Sequence, residues 1–460
     1  MRVNRRDFLM KVGVGVSMLA AQRILPAGGA SPMKPNVILC MTDDQGWGDT
    51  GYNGHPVLKT PNLDRMADEG IRFDRFYSGA PVCSPTRGSC LTGRHPYRYG
   101  IFFANVGHMK KEEITLAEVL KGQGYTTGHF GKWHLGSLTT TVKNGRRGKR
   151  QNQHYSPPWE NGFDVCFSTE QAVPTWDPMK DQPIETRYWT GDGKYATENL
   201  DGDDSRVIMD RVIPFIGDAV KKGKPFLAVV WLHSPHEEVR GGGKYLEMYK
   251  EQPEKRRHYY ACLTAADEQI GRLRSELHAA GIGGNTMLWF CSDNGPEHET
   301  GPGSAGPFRG RKRSLYEGGV RVPGSLVWPE KIRTSHVAKM PCSTSDYFPT
   351  VLDVLGYRLP EPETRPYDGV SLLPLIEGKM TVRPRPLAFE SGNQVSLIDN
   401  RYKIYSADDG KTFELYDLLD DASEQTDLSG KQPDVLERMR KALDAWRASC
   451  KASRNGDDYR

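Results

Sequence analysis

Three continuous apolar runs, Asn36–Met41, Pro225–Leu232 and Thr286–Cys291, have strand length and no polar face. That pattern belongs to strands buried on both sides, as in a parallel sheet covered by helices. Ile71 to Tyr77 reads as a further strand, and Tyr125 to Gly136 as an extended segment in which Lys132 and His134 alternate onto one side. Between these runs the apolar period changes to that of helices. Pro61 opens one, with Leu63, Met66 and Ala67 on one face and Gly70 as its stop. The capping box Thr115-Leu-Ala-Glu118 opens another that stops at Gly124. Ser205 to about Val220, Tyr259 to Ala280 and Ser345 to Leu355 complete the helical stretches of an α/β chain. A proline-rich linker, Pro360 to Pro366, precedes a change of texture. From about Arg383 short alternating strands follow, Leu387–Glu390, Val395–Asn400, Tyr402–Tyr405 and Phe413–Asp417, and then a helix to about Cys450.

Composition alters this picture mainly at the N-terminus. Arg2, Arg5, Arg6, Lys11 and Arg23 against Asp7 carry the whole formal charge of +4, so the remainder is neutral and gives no bulk reason to expect nucleic acid. Asn4-Arg-Arg-Asp-Phe-Leu-Met-Lys11, the apolar run Val12 to Ala21 and the small residues Ala27 to Ala30 read as a twin-arginine export signal over residues 1–30. No later stretch has the length of a transmembrane helix, so no integral membrane segment is expected after signal removal. The 8 cysteines show no zinc-like spacing, and Cys40 and Cys291 read as packing within buried strands.

The chemistry gathers where the strands end. Asp43 and Asp44 follow the first buried strand, and Asp293 and Asn294 follow the last. Open α/β sheets place ligands at such edges. Three carboxylates and an amide oxygen form a hard-oxygen set suited to Ca²⁺, with Mg²⁺ a lesser alternative and Zn²⁺ less suited. Cys83-Ser-Pro-Thr-Arg87 places a cysteine just before a helix expected from Pro85 to about Leu91, capped by Ser84 and ending near Gly93. A helix N-terminus and the Arg87 guanidinium one turn on both favour an anion at that spot.

Cys83-Ser-Pro-Thr-Arg87 continued by Leu91-Thr-Gly-Arg94 closely resembles the signature of the type I sulfatases, in the alkaline phosphatase superfamily. Gly131-Lys-Trp-His-Leu-Gly136 resembles their second signature. The resemblance covers nearly all of the mature chain. It implies a large mixed, mostly parallel sheet flanked by helices over 31–382, with a smaller C-terminal antiparallel sheet plus helix over 383–460. It further implies that Cys83 is converted to formylglycine by a formylglycine-generating maturation enzyme, and that Asp43, Asp44, Asp293, Asn294 and the modified Cys83 hold one Ca²⁺. Lys132 and Lys312 would contact sulfate, Arg87 would brace the hydrated aldehyde, His134 would handle its proton, and Asp293 would accept a proton from the nucleophile. His233 would stand near the ester oxygen, with His236 as a secondary candidate. Trp159, Trp176 and Trp189 lie in the stretch expected to rim the pocket, where one could support a sugar ring. The expected activity is hydrolysis of sulfate esters of carbohydrates or aryl alcohols, in the periplasm or outside the cell. Two alternatives stay open. One is a phosphatase or phosphodiesterase of the same superfamily, which would use Ser or Thr and two zinc ions. The other is a silent sulfated-glycan-binding protein that keeps Cys83 as a thiol.

Overall fold

The computed structural model describes residues 34–147, 152–297, 301–360 and 365–459, so the export pattern at residues 1–30 lies outside the described residues. The strands, in chain order, are β1 Asn36–Thr42, β2 Ile71–Phe73, β3 Phe76–Tyr77, β4 Thr126–Lys132, β5 Val165–Thr169, β6 Trp189–Gly191, β7 Lys194–Tyr195, β8 Phe226–Trp231, β9 Thr286–Ser292, β10 Arg321–Val322, β11 Gly324–Val327, β12 His336–Ala338, β13 Cys342–Ser343, β14 Leu387–Ser391, β15 Gln394–Ile398, β16 Tyr402–Ser406 and β17 Glu414–Asp417. Ten of them form one sheet in the order β12-β2-β11-β9-β1-β8-β4-β5-β6-β7. Its centre, β9-β1-β8-β4-β5, is wholly parallel. The expected strand over Ile71–Tyr77 is therefore split, with β3 leaving to pair with β10 and β13 in a small separate sheet.

Alternate residues of β1 serve opposite faces of the sheet. Val37, Leu39 and Met41 pack with Cys90 and Leu91 of the Cys83–Thr92 helix, Leu116 of the Leu116–Gly122 helix and Phe348 of the Tyr347–Val354 helix. Ile38 and Cys40 pack with Leu63, Val212 and Ile270, from the helices Pro61–Glu69, Asp204–Lys221 and Glu254–Ala279. Both faces are thus covered by helices, which is why the central strands read as unbroken apolar runs. All 8 cysteines are free and buried. Among the described residues no helix is long and apolar enough to cross a membrane.

Strands β14 to β17 form a separate antiparallel sheet, with the Pro433–Arg454 helix packed against it through Met439 and Leu443. A buried ion pair ties this sheet to the rest: Lys403 of β16 lies 3.0 Å from Glu317 and 2.8 Å from Glu424, with all three side chains fully buried.

Candidate functional site

Four parallel neighbours end at one edge of the sheet and deliver the chemistry there. Asp43 and Asp44 follow β1, Asp293 and Asn294 follow β9, His233 and His236 follow β8, and Lys132 closes β4. The turns after the strands are cross-tied. Asp43 donates its backbone N–H to Ser234 O at 3.0 Å, and Asp293 donates to Thr42 O at 3.2 Å. Gly295 is required at the next position, since a Cβ there would stand 2.0 Å from Gly318 O. That close approach brings in the segment carrying Lys312. Asp44 takes a left-handed backbone, φ +69°, and donates its N–H to Asp293 Oδ1 at 3.1 Å.

The helix beneath the site runs Cys83–Thr92 with Val82 as its N-cap, so Cys83 is its first residue and not the residue before it. Ser84 therefore does not cap. Its hydroxyl accepts instead from Asn105 N at 3.4 Å, and Thr86 fixes the entry by accepting from Ala80 N and donating to Ala80 O. Cys83 is buried, and a Cys83 Sγ, Asp43 carboxylate and His236 ring nitrogen lie within 4.8 Å of one another. Burial raises the thiol pKa, against the pull of Lys132 and Lys312.

Three carboxylates face three cations here. Lys132 Nζ lies 2.5 Å from Asp43 Oδ2, Arg87 Nη2 lies 2.6 Å from Asp293 Oδ2, and Lys312 Nζ lies 2.6 Å from Asp44 Oδ2. Arg87 is held from behind as well, by Lys132 O at 3.2 Å and the face of Trp231 at 5.2 Å. Burial pushes the Asp43 carboxyl up, but Lys132, His236, Arg87 and Lys312 outweigh it and hold it well below the usual range. Asp293 goes the other way, to about 8, through burial and the charge of Asp43.

Oxygen atoms remain for a cation. Carboxylate oxygens of Asp43, Asp44 and Asp293 lie within 4.8 Å of one another. Asp43 Oδ1 and Asn294 Oδ1 are buried with no hydrogen-bond partner, while Asn294 Nδ2 donates to Asp44 Oδ1 at 2.7 Å. An all-oxygen set crowded enough to push one member towards neutrality fits a hard divalent ion.

The histidines separate by environment. His134 sits just past β4 with φ +55°, so the alternation expected of Lys132 and His134 breaks at the strand end. Its Nε2 meets Asn105 Oδ1 at 2.8 Å and its Nδ1 has no partner. Burial, reinforced by Lys132, Arg147 and Arg87, keeps that ring well below its usual pKa, and so neutral. His233, expected near the ester oxygen, has both nitrogens engaged: Nδ1 with Asp204 at 2.7 Å and Nε2 with Thr169 at 2.8 Å. His236 is 11% exposed, with Nδ1 on Glu237 O at 2.6 Å and Nε2 3.8 Å from Asp44 Oδ2. Asn105 and Asp204, which orient two of these rings, carry no sequence signal of their own.

Of the tryptophans expected at the rim, Trp189 is buried and donates to Asn144 Oδ1 at 3.0 Å, whereas Trp176 and Trp159 are half-buried, the first edge-on against Tyr245 and the second against the core. The ring exposed beside Asn105 is Phe103, at 38%.

Residues 35–357 match the family described as Sulfatase, and residues 306–449 match N-sulphoglucosamine sulphohydrolase, C-terminal. The chain is 32% identical to N-acetylgalactosamine-6-sulfatase of Mus musculus over 417 residues, 84% of this chain and 74% of that one. It is 31% identical to arylsulfatase G of Rattus norvegicus over 479 residues, 90% of this chain and 86% of that one. The crystal structure of Ps i-CgsB superposes with a TM-score of 0.78 at 25% identity, covering 90% of this chain and 92% of that chain. The Sulfatase match spans every residue gathered at the sheet edge, from Asp43 to Lys312, and the chain belongs to the sulfatase family of sulfuric ester hydrolases.

Proposed function

We propose that the chain is an exported carbohydrate sulfatase that works through a formylglycine made from Cys83 and a Ca²⁺ held by Asp43, Asp44, Asp293 and Asn294. The observation that carries this reading is the placing of Cys83 at a helix N-terminus, among three carboxylates matched by three cations. When present, the hydrated aldehyde supplies a nucleophilic hydroxyl at that position and Ca²⁺ supplies the excess positive charge that draws in a sulfate oxygen.

The chain's own residues do the rest. Lys132 and Lys312 bind the non-bridging oxygens, and Arg87, fixed by Asp293 and Trp231, braces the nucleophile. Asp293, ion-paired with Arg87 at 2.6 Å, would take the proton of the attacking hydroxyl once a bound cation holds it ionised. His134, neutral and with Nδ1 unpartnered, is suited to remove the second proton. For protonation of the leaving oxygen the geometry favours His236 over His233. Nδ1 of His236 donates a hydrogen bond to the Glu237 carbonyl, and Nε2 is left facing the site. To act as the acid the ring would first take a proton at Nε2; burial and Lys132 hold its pKa down to about 4, while Asp43 and Asp44 favour that proton.

The sugar class rests on two relatives, one named for N-acetylgalactosamine 6-sulfate and one solved with k-i-k-neocarrahexaose. Export and the maturation enzyme rest on the N-terminal pattern and on the Cys83 motif. The test is a peptide-mass measurement on protein co-expressed with a formylglycine-generating enzyme, alongside sulfate release from sulfated sugars. Formylglycine at position 83, loss of activity on chelation and recovery with Ca²⁺ are expected. Active protein carrying only a thiol, or recovery with Zn²⁺ alone together with phosphatase activity, overturns the proposal.

A further inference from the structure

A recess of about 280 Å³ is lined by Lys312, Arg313, Ser314 and Gln394. Its two cations diverge. Lys312 turns inward to Asp44, whereas Arg313 is 48% exposed at the mouth. Arg313 also holds a left-handed backbone, φ +76°, which disfavours a residue with a side chain. Hydrogen bonds on both sides keep it there. Its N–H donates to Pro81 O at 2.8 Å, and its carbonyl accepts from Gln394 Nε2 at 2.8 Å. Gln394 in turn accepts from Leu315 N at 3.0 Å, so the start of β15 clamps the segment that bears both cations.

One carboxylate already occupies the pair. Glu297 meets Lys312 Nζ at 2.8 Å through Oε2 and Arg313 Nη1 through Oε1. A Lys and an Arg sharing the two oxygens of a carboxylate is also how an external carboxylate or sulfate would be held. Lys312 lines the recess and reaches Asp44 at 2.6 Å, which sets the recess next to the carboxylate cluster.

We propose that this recess is a second anion subsite, which takes a carboxylate or sulfate on the sugar adjoining the one being desulfated. Arg313 recognises that group, and Glu297 is the internal carboxylate it displaces. The inference rests on the carbohydrate sulfatase reading and adds that the substrate carries at least two anionic groups. The charge of Arg313 serves the neighbouring sugar and not the scissile ester.

The test compares three substrates by sulfate release: a monosulfated monosaccharide, the same sugar joined to a uronic acid, and the same sugar joined to a second sulfated sugar. Arg313→Asn removes the cation with a side chain that tolerates the left-handed backbone. It should cut the preference for doubly anionic substrates about tenfold, mainly through KM. Glu297→Gln should do the opposite and lower KM for them, because the two cations lose their internal competitor. A response confined to the uronate arm assigns a carboxylate, and one confined to the disulfated arm assigns a sulfate. Equal changes on all three substrates, or a higher KM for the doubly anionic ones in Glu297→Gln, overturn the subsite. If the wild type desulfates the monosaccharide with no preference for either disaccharide, the subsite fails while the sulfatase reading stands. Absence of sulfate release from any sugar removes the carbohydrate reading and the subsite with it.

Discussion

His233 and His236 share one turn, and their surroundings assign them different work. Removing the His236 imidazole takes away the ring whose Nε2 faces the site and would carry the proton to the leaving oxygen, so His236→Ala should lower turnover by roughly 10²- to 10⁴-fold. The loss should shrink for aryl sulfates whose phenols leave without a proton. The His233 ring is buried between Asp204 and Thr169, so His233→Ala leaves both short of a partner and should cost about 2–3 kcal/mol of stability. Thermal melting beside sulfate release separates the two. An unchanged melt with abolished turnover in His233→Ala would return the proton to that residue. Only His-x-Pro-His was legible in the sequence here. Which ring faces the site depends on Asp204, 29 positions away, and such partners leave no local trace.

At the scale of elements, the Cys83–Thr92 helix owes its direction to both ends. It stops at Gly93 with φ +68°, where a Cβ would stand 2.9 Å from Phe348 Cβ. Gly93→Ala should therefore cost about 1–2 kcal/mol, read as a lower midpoint in denaturant. An unchanged midpoint would mean that the Tyr347–Val354 helix gives way freely. The end of this helix was readable because only glycine suits that backbone, and its start was misread for an equally local reason. Ser84 and Pro85 have the composition of a cap and a first turn, yet the clamp between Thr86 and Ala80 moves the start back to Cys83. A similar shift places Asp203 as the N-cap of the next long helix, since its carboxylate accepts from both Ser205 N and Arg206 N. The central strands were legible because burial on both faces leaves a continuous apolar run. The break of β4 at Lys132 was not, because a non-glycine residue in the left-handed region is set by its tertiary surroundings.

Across the whole molecule, His95 joins the signature region to the C-terminal helix. Its ring meets Trp446 edge-on at 4.8 Å, and its backbone N–H donates to Asp368 at 2.6 Å. Burial pushes its pKa from 6.5 to about 3, with Asp368 countering and Arg98 adding. The unfolded chain thus takes a proton near pH 6.5 that the folded chain refuses until about 3. The stability His95 contributes is present above pH 6.5 and lost progressively as the pH falls towards 3. His95→Asn keeps an acceptor for Tyr97 N and removes the titration. The stability difference between wild type and variant should therefore slope by one proton across that window. A flat difference in chemical denaturation would show that the ring is hydrated in the folded state.

The ties between the signature region and the C-terminal helix have a consequence in time. Arg98 donates to Ser449 at 2.9 Å and to Ser453 at 3.0 Å, Arg94 pairs with Asp458, and Tyr459 donates to Glu113. Lys403, which neutralises the buried Glu317, also lies far downstream of Cys83. A ribosome makes the signature segment hundreds of residues before its anchors, so the segment stays unfastened while the remainder is translated. Synthesis order thus leaves an interval before the last helix arrives, and the proposed conversion of the Cys83 thiol would fall within it.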